Sequence, residues 1–256
     1  MEEAIVSPRD WVEYSCRLKG LRIHDVKVNE IVILPIGRSL TEKLKRLSSA
    51  ILETNWIYDP DSWPLYNGKV DDIHISILRP GFGAPATTVL LEELIACGAR
   101  KILFLGAAGS LNQNVRIGDI VIPVKSICDE GVSKQYYPNI EIIDGDQELI
   151  SAVEKACEKL GVNYHKGLIW TISTPYRETP SKVVEMQKKG CLAVDMEVSA
   201  IFSVAKFRNA KAAAILSISD ELWDLKWKPA FHTYEFRKAE EKLINIALEA
   251  IKYLSE

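Results

Sequence analysis

Four short stretches of this 256-residue sequence carry residue types that suit ligand chemistry at the ends of apolar runs. Two are rich in glycine, Gly81–Ala86 and Gly106–Ser110, and two are acidic, Asp195–Glu197 and Ser219–Asp220. Glycine lets the backbone approach a ligand closely, and backbone amides at the start of a helix favour an anion. A carboxylate at a strand end can accept hydrogen bonds from vicinal sugar hydroxyls. Two glycine-rich turns and two acidic strand ends therefore predict one shared pocket.

Three of the four stretches also have a purely structural interpretation. Gly81–Ala86 matches the dinucleotide pattern G-x-G-x-x-A, but no acidic residue follows at about 20 positions to hold ribose hydroxyls, which disfavours nicotinamide binding. A tight turn with Pro85 in the first turn of a helix would explain the same residues. An acid of Asp195–Glu197 could interact with the start of a helix, and Asp220 could cap a turn.

The elements that position these stretches follow from the hydrophobic pattern. From Ile31 onward, short β-branched runs alternate with segments of helical period, which predicts an α/β fold. The predicted strands are Ile31–Leu34, Ile73–Leu78, Lys101–Leu105, Asp119–Val124, Leu168–Ser173, Leu192–Asp195 and Ala212–Ser219. The predicted helices are Leu40–Glu53, Ala86–Cys97, Gln147–Leu160, Pro180–Lys189, Val198–Phe207 and Tyr234–Leu254. Asn55–Lys69 is predicted to be an ordered surface excursion.

Composition narrows the class of protein. Without repeats or a shift in composition, residues 1–256 are expected to form one domain. A net charge of −3 and the lack of a dense basic run argue against nucleic acid as a partner. The five cysteines are far apart, which fits reduced thiols and predicts neither a disulfide framework nor a metal site. No apolar run approaches the roughly 18 residues of a membrane span, so we expect a cytoplasmic protein that does not enter a membrane.

Taken in order, the four stretches resemble the nucleoside phosphorylase-I family, which includes purine nucleoside phosphorylases, uridine phosphorylases and nucleosidases. The resemblance covers about residues 24–254 and includes Ile117–Val121 and Val198–Ala200. It implies a single α/β domain with a central mixed, partly barrel-like sheet flanked by helices. It also implies a homo-oligomer, as a dimer or a trimer of dimers. The implied reaction cleaves the N-glycosidic bond of a nucleoside, with inorganic phosphate as co-substrate and no metal or organic cofactor.

The resemblance also implies roles for individual residues. Met196 would pack against the sugar, and Glu197 would hold the 2′- and 3′-hydroxyls. His24 would reach the sugar 5′-hydroxyl of a neighbouring subunit, or is an ordinary partly exposed histidine. Asp220 matches the acid that protonates purine N7, and this match favours a purine over uridine.

The phosphate ligands depart from the family pattern. Leu34–Ser39 stands where the phosphorylases have a G-D-P-x-R loop, and within it Gly37 and Arg38 could still serve. Phe104 and Ala107 stand where an arginine and a serine or threonine usually bind phosphate. The remaining candidates are Arg79, as a substitute for a partner-supplied arginine, and Gly106 in the second glycine-rich stretch.

The base-binding loop departs as well. Tyr176 could stack on the base and Arg177 could contact its carbonyl or a phosphate, whereas the structural alternative has Arg177 and Glu178 capping the next helix. Trp223, like Trp227, could close the pocket or belong to the packing of the helix junction. We therefore predict phosphorolysis of a purine nucleoside. The alternatives are a hydrolytic nucleosidase, a uridine phosphorylase, and a nucleoside-binding subunit that has lost catalysis.

Overall fold

The computed structural model describes residues 4–254, which form a mixed sheet covered by helices on both faces. The α-helices are α1 Pro8–Leu18, α2 Arg38–Leu47, α3 Ala84–Ala96, α4 Ser133–Tyr136, α5 Gln147–Leu160, α6 Pro180–Lys188, α7 Val198–Phe207 and α8 Tyr234–Lys252. The strands are β1 Ile31–Pro35, β2 Ile51–Leu52, β3 Leu65–Val70, β4 Ile73–Leu78, β5 Lys101–Ser110, β6 Ile120–Asp129, β7 Ile142–Asp144, β8 Tyr164–Ile172, β9 Ala193–Asp195, β10 Lys211–Glu221 and β11 Lys228–Pro229.

Part of the sheet closes into a barrel. Strands β10, β6, β8, β9 and β5 follow one another as hydrogen-bonded neighbours, and β5 pairs back onto β10. The sheet extends beyond β5 through β1, β4, β3 and β2. Strands β4, β1, β5 and β10 run parallel, whereas β9 is antiparallel to β5 and β6 is antiparallel to β10. This arrangement confirms the predicted α/β class with a mixed, partly barrel-like sheet and flanking helices.

The strands in the middle of the sheet are buried on both faces, as expected for parallel strands. Alternate residues enter different cores: Val32 of β1 and Phe104 of β5 lie in one, whereas Ile33 and Leu103 lie in the other. Helices α1, α3 and α7 cover the first core, and α2, α5 and α8 cover the second. These helices leave the carboxyl ends of the parallel strands as the edge where loops can form a pocket.

The prediction of a turn at the second glycine-rich stretch is wrong. Gly106–Ser110 is the second half of β5, which runs unbroken to Ser110 and pairs with β10 along its length. Gly106 allows this because an added Cβ would lie 2.7 Å from the Phe104 ring and 2.9 Å from a Leu216 methyl carbon. Glycine at this position therefore gives room for close packing, and it does not create a turn.

The structure also differs from the prediction at the bounds of other helices and strands. Helix α2 ends at Leu47, and the chain then turns through Ser49 at φ 48° into β2, which the predicted helix had absorbed. The excursion Asn55–Lys69 contains most of β3, and Trp56 within it is buried in the core. Helix α1 was not predicted, although Ser7 and Asp10 form a capping box at its start.

Candidate functional site

The candidate site is organised by a row of paired residues across the barrel. Asp220 of β10 pairs with Gly109 of β5, Gly109 pairs with Val194 of β9, and Val194 pairs with Trp170 of β8. The row crosses the part of β5 that extends beyond its pairing with β1. The two acidic stretches predicted from the sequence therefore lie on either side of the same strand.

A β-bulge positions the Asp220 carboxyl group. The register between β10 and β5 shifts between Ile218 and Asp220, so Ser219 is the extra residue. Ser219 Oγ donates a hydrogen bond of 2.7 Å to Asp220 Oδ1, and Trp227 Nε1 donates one of 3.0 Å to Oδ2. Burial raises the pKa of Asp220 above its ordinary value. Both donors are side chains, so Asp220 is not acting as the turn cap that the sequence alone also allowed.

Gly109 keeps space free beside this carboxyl group. A Cβ added to Gly109 would lie 2.5 Å from Leu222 Cδ1, 3.2 Å from Asp220 Oδ2 and 3.3 Å from Val194 Cγ1. The first of these distances is shorter than any ordinary carbon contact. A larger residue at position 109 would therefore displace Asp220 or its neighbours.

Asp195 and Glu197 divide the two roles that the sequence suggested for acids at this strand end. Asp195 Oδ2 accepts hydrogen bonds from the backbone N–H groups of Glu197, at 2.8 Å, and Val198, at 2.7 Å. Asp195 Oδ1 accepts one of 2.5 Å from the Thr171 hydroxyl. Asp195 therefore holds the first turn of α7 in place. Its neighbour Glu197 is free of this capping role.

Glu197 faces the other glycine-rich stretch. Its Oε1 accepts a hydrogen bond of 2.6 Å from the backbone N–H of Gly83, which precedes α3 and has φ +85°. Burial raises the pKa of Asp195 and of Glu197, and the charge of Asp195 raises that of Glu197 further. The Met196 methyl carbon Cε lies 3.8 Å from the Cβ position of Gly83. The structure thus brings Gly83, Met196 and Glu197 together.

The candidate phosphate residues lie at the carboxyl ends of adjacent parallel strands. Arg79 follows β4, Gly37 follows β1, and the Ile36 N–H donates to the Leu105 carbonyl of β5, one residue before Gly106. Gly37, at φ +118°, directly precedes α2, so the free amides of the first helical turn lie at this edge. Arg38 and Arg79 are exposed, and neither forms an ion pair with a residue between 4 and 254.

Phe104 and Ala107, the residues that replace two usual phosphate ligands, have different surroundings. The Phe104 side chain is fully buried in the core, with its ring over Gly106, whereas Ala107 is half-buried. Neither side chain can donate a hydrogen bond. Positive charge at this edge therefore comes from Arg38 and Arg79 and from the start of α2.

The candidate base-binding residues are less closely grouped. Tyr176 and Arg177 form an exposed 3₁₀ turn after β8 and face solvent. The indole of Trp223 donates 2.9 Å to Glu221 and lies over the Arg116 guanidinium. Consecutive residues of a strand face opposite sides, so the Glu221 side chain points away from that of Asp220. Trp223 contacts Glu221 and therefore does not contact Asp220. Trp227, returned by the short β10–β11 hairpin, is the tryptophan that contacts Asp220.

Three residues lie beside the site through contacts that the sequence did not indicate: Thr171 was not noted, Trp227 was expected to close the pocket or to pack at the helix junction, and Glu178 was the alternative cap of the next helix. Thr171 bonds to Asp195, Trp227 bonds to Asp220, and Glu178 is close enough to Asp220 for the negative charge of Asp220 to raise its pKa. A two-residue strand such as β11 shows no hydrophobic period, so no local pattern predicts the return of Trp227. Thr171 could have been noted as a polar residue within an apolar strand.

His24 forms no hydrogen bond or ion pair with these groups within the described residues. It is exposed within the 3₁₀ turn Ile23–Asp25, and its Nε2 is 3.9 Å from Asp25 Oδ1. In the portion of the chain that the structure describes, no three His, Cys, Asp or Glu side chains gather as metal ligands. Within residues 4–254, no helix combines the length and apolar composition needed to cross a bilayer.

Comparison with known proteins places this architecture in a family. The family model described as the phosphorylase superfamily matches residues 31–252, from β1 to the end of α8. The chain belongs to this superfamily. The match includes every candidate residue discussed above except His24, and it confirms the resemblance seen in the sequence.

Several relatives within the phosphorylase superfamily have named activities. A DeoD-type purine nucleoside phosphorylase from Colwellia psychrerythraea is 32% identical over 159 residues, which are 61% of this chain and 68% of that protein. A guanosine phosphorylase from Halorubrum lacusprofundi is 26% identical, covering 91% of this chain and 98% of the relative. A uridine phosphorylase from Thermococcus kodakarensis is 28% identical, covering 84% and 79%.

A solved structure supports the fold assignment. The crystal structure of uridine phosphorylase from Vibrio fischeri matches with a TM-score of 0.78 at 24% identity, covering 88% of this chain and 93% of the other. At this identity the likeness shows that the two proteins share the superfamily fold.

Proposed function

We propose that this enzyme cleaves the N-glycosidic bond of nucleosides by phosphorolysis, with purine nucleosides preferred over uridine. The observation that carries the proposal is the Asp220 carboxyl group, which is buried at the edge of the sheet and has a raised pKa. A carboxyl group with a raised pKa holds its proton to higher pH than an ordinary one, which suits a general acid. Superfamily relatives named as purine nucleoside, guanosine and uridine phosphorylases support the reaction class.

In the proposed step, phosphate replaces the purine on C1′ of the ribose. The bond between C1′ and purine N9 breaks, and its electron pair moves into the purine ring. The Asp220 proton passes to N7, which neutralises the negative charge that develops on the base. A phosphate oxygen forms the new bond to C1′. The products are the free purine and ribose 1-phosphate, and Asp220 regains a proton from water before the next turnover.

Glu197 and Met196 are the proposed sugar contacts. Glu197 presents a buried carboxyl group, with Oε1 held by the Gly83 N–H at 2.6 Å, so its orientation is set before a nucleoside binds. A carboxylate accepts hydrogen bonds only, which matches two vicinal hydroxyl donors. Two hydroxyl donors would favour the ionised form of Glu197, whose pKa is raised in the free protein, and that form would also stabilise a positively charged sugar in the transition state. We propose His24 as a contact to a sugar bound by a neighbouring subunit, and the homo-oligomer stays a prediction.

Phosphate is the proposed acceptor, and the carboxyl edge of the parallel strands is its proposed site. The amides after Gly37, together with Arg38 and Arg79, supply donors and positive charge at that edge, and Gly106 is the proposed phosphate residue on the adjacent strand β5. Both arginines are exposed, so they are free to turn towards a bound anion. Tyr176, Arg177 and Trp223 stay candidate base contacts, and Trp227 joins them because it already contacts Asp220.

A hydrolytic nucleosidase is the second candidate function, and one observation favours it. The Phe104 side chain is buried in the core, and Ala107 has no donor, so two positions that bind phosphate in related phosphorylases supply no ligand here. Water would then attack C1′ and the product would be ribose. Two other functions stay predictions, a uridine phosphorylase and a catalytically inactive nucleoside-binding subunit. The cytoplasmic location also stays a prediction.

One assay separates these functions. Purified protein is incubated with inosine, adenosine, guanosine or uridine, with and without phosphate, and base, ribose and ribose 1-phosphate are separated by chromatography. We expect purine release that requires phosphate and yields ribose 1-phosphate in equal amount. Release of ribose in phosphate-free buffer would establish the nucleosidase, and turnover of uridine alone would overturn the purine assignment. Binding without cleavage would indicate the inactive subunit.

A further inference from the structure

Side chains from two strands of the sheet hold the first turn of α7. The backbone N–H groups at the start of a helix have no acceptor within that helix. Asp195 Oδ2 accepts two of them, from Glu197 at 2.8 Å and from Val198 at 2.7 Å. Thr171 Oγ1 accepts the next one, from Ser199, at 3.0 Å. Thr171 and Asp195 are paired residues of the parallel strands β8 and β9, so the sheet places the two acceptors side by side.

This arrangement releases the side chain of the residue that begins the helix. Glu197 is the N-cap residue of α7, and a side chain at that position commonly accepts a hydrogen bond from the helix start. Within the described residues the Glu197 side chain forms no such bond, since Asp195 and Thr171 supply the acceptors. Its carboxyl group bonds instead to the Gly83 N–H, 114 positions away in the sequence. The proposed sugar contact therefore depends on caps that other residues provide.

The Thr171 hydroxyl is used to its full capacity. It donates its single proton to Asp195 Oδ1 at 2.5 Å and accepts from the Ser199 N–H. Ser126 Oγ lies 2.7 Å from Thr171 Oγ1, and Ser126 is the donor because the Thr171 proton is already in use. A hydroxyl group offers one donor and two acceptor positions, and all three are filled here. The side chain cannot rotate without breaking a bond to β6, β9 or α7.

Water does not reach this hydroxyl. Thr171, Ser126 and Ser199 are fully buried, and Asp195 is 4% exposed. A buried polar group that loses its partner keeps the whole cost of desolvation. Removal of the Thr171 hydroxyl would leave both Asp195 Oδ1 and the Ser199 N–H unpaired, so Asp195 would shift to regain a partner. Such a shift would also move the Glu197 backbone, because the Glu197 N–H is bonded to Asp195.

We propose that Thr171 is a positioning residue that sets a preference for ribose over 2′-deoxyribose. It acts through Asp195 on Glu197, whose backbone is held by Asp195 and whose carboxyl group is held by Gly83. The inference rests on the proposed function, in which Glu197 accepts hydrogen bonds from the 2′- and 3′-hydroxyls. A carboxylate fixed at both ends is aligned with the two hydroxyls before the nucleoside binds. A displaced carboxylate loses one of them, which matters less for a 2′-deoxynucleoside.

The test measures kcat/KM for inosine and for 2′-deoxyinosine in the wild type and in three variants. Thr171→Val keeps the shape of the side chain and removes the hydroxyl, whereas Thr171→Ser keeps the hydroxyl. The control Ser203→Ala removes a buried hydroxyl of α7 that donates to Ser133. We expect the inosine-to-2′-deoxyinosine ratio to fall by about fivefold in Thr171→Val, the equivalent of one hydrogen bond, and to stay near the wild-type value in Thr171→Ser and Ser203→Ala.

A double-mutant cycle shows whether Thr171 acts through Glu197. Thr171→Val should lower kcat/KM for inosine by a much smaller factor in the Glu197→Gln background than in the wild type, because the group that it positions is already impaired. Equal factors in the two backgrounds would overturn the positioning role. An unchanged sugar ratio in Thr171→Val, or a ratio that falls equally in Ser203→Ala, would overturn it as well.

A further measurement needs neither a variant nor turnover. Isothermal titration calorimetry of the wild-type enzyme should show that inosine binds more tightly than 2′-deoxyinosine, and equal binding would overturn the proposed preference. The failure of the proposed function looks different. If the wild type and Ser203→Ala release no purine in the presence of phosphate, phosphorolysis fails, while the binding ratio of the two nucleosides in Thr171→Val still decides the role of Thr171.

Discussion

Trp227 Nε1 donates a hydrogen bond of 3.0 Å to Oδ2 of Asp220, and it does so from seven residues further along the chain. The β10–β11 hairpin makes this contact possible by pairing Asp220 with Pro229. A donor to the ionised carboxylate lowers the pKa of Asp220, whereas burial raises it. The protonation of the proposed acid is thus set by two opposing effects, and one of them can be removed by a single substitution.

Trp227→Phe should move the pH dependence of catalysis. Loss of the donor raises the pKa of Asp220, so the protonated acid persists to higher pH and the alkaline limb of kcat/KM shifts upward. We expect a shift to higher pH whose size solvent reduces, because Trp227 is 65% exposed. Trp223→Phe is the matched control, since that indole donates to Glu221. An identical shift in both variants would contradict the assignment.

Asp220→Asn should impair cleavage far more than binding. The amide keeps the size of the carboxyl group but cannot supply the proton to N7. We expect kcat for purine nucleosides to fall by about 100-fold or more, the usual contribution of a general acid. The dissociation constant of a purine nucleoside, measured by calorimetry, should change much less. Equal losses of turnover and binding would mean that Asp220 acts by holding the base.

Glu197→Gln should weaken recognition of the ribose. Gln can still accept from the Gly83 N–H, so the fold around the turn is kept, but the charge that strengthens the hydroxyl contacts is lost. We expect kcat/KM for ribonucleosides to fall by about 10- to 150-fold, the equivalent of one hydrogen bond to a charged group. Steady-state assays with the matching 2′-deoxynucleoside should show a smaller loss. The same loss with both sugars would argue against contact with the 2′-hydroxyl.

Gly109→Ala should damage both stability and activity. Its Cβ would lie 2.5 Å from Leu222 Cδ1 and 3.2 Å from Asp220 Oδ2. Overpacking of this kind costs about 1–3 kcal/mol in the free energy of unfolding, which urea denaturation can measure. Gly131→Ala is the control, because nothing lies within 4 Å of its Cβ position. A Gly109→Ala protein with unchanged stability and turnover would show that the strand yields without moving Asp220.

Glu93→Gln should change how stability depends on pH. Glu93 is buried and accepts 2.8 Å from the Tyr58 hydroxyl, and burial raises its pKa from 4.5 to about 7. The folded protein therefore binds the Glu93 proton more tightly than the unfolded chain does. The contribution of Glu93 to the free energy of unfolding is consequently lost as pH rises from about 4.5 to 7. The variant should lack that loss, which is on the order of 2–3 kcal/mol.

Urea denaturation at pH 5 and at pH 8 measures this difference directly. We compare the wild type, Glu93→Gln and the exposed control Glu185→Gln, and we expect only Glu93→Gln to retain more of its stability at pH 8. If all three proteins lose the same free energy of unfolding between the two pH values, the Glu93 carboxyl group is not the source.

The sequence alone was sufficient for the class of fold and for the family. Runs such as Lys101–Leu105 and Ala212–Ser219 are apolar enough to identify strands, and the helical period of Gln147–Leu160 predicted α5 to the residue. The four stretches in order identified the superfamily. Hydrophobic patterns are local, and the order of the stretches is a property of the sequence, so both can be recognised without the tertiary structure.

The tertiary structure alone decided how the acidic residues are arranged. A glycine-rich stretch became the second half of β5, and Phe104 and Leu216 leave no room for a side chain at Gly106, a constraint set in part by Leu216, which is distant in the chain. The bulge at Ser219 directs Asp220, and a two-residue strand returns Trp227 to it. Each effect depends on register between strands, which hydrophobic periodicity does not encode.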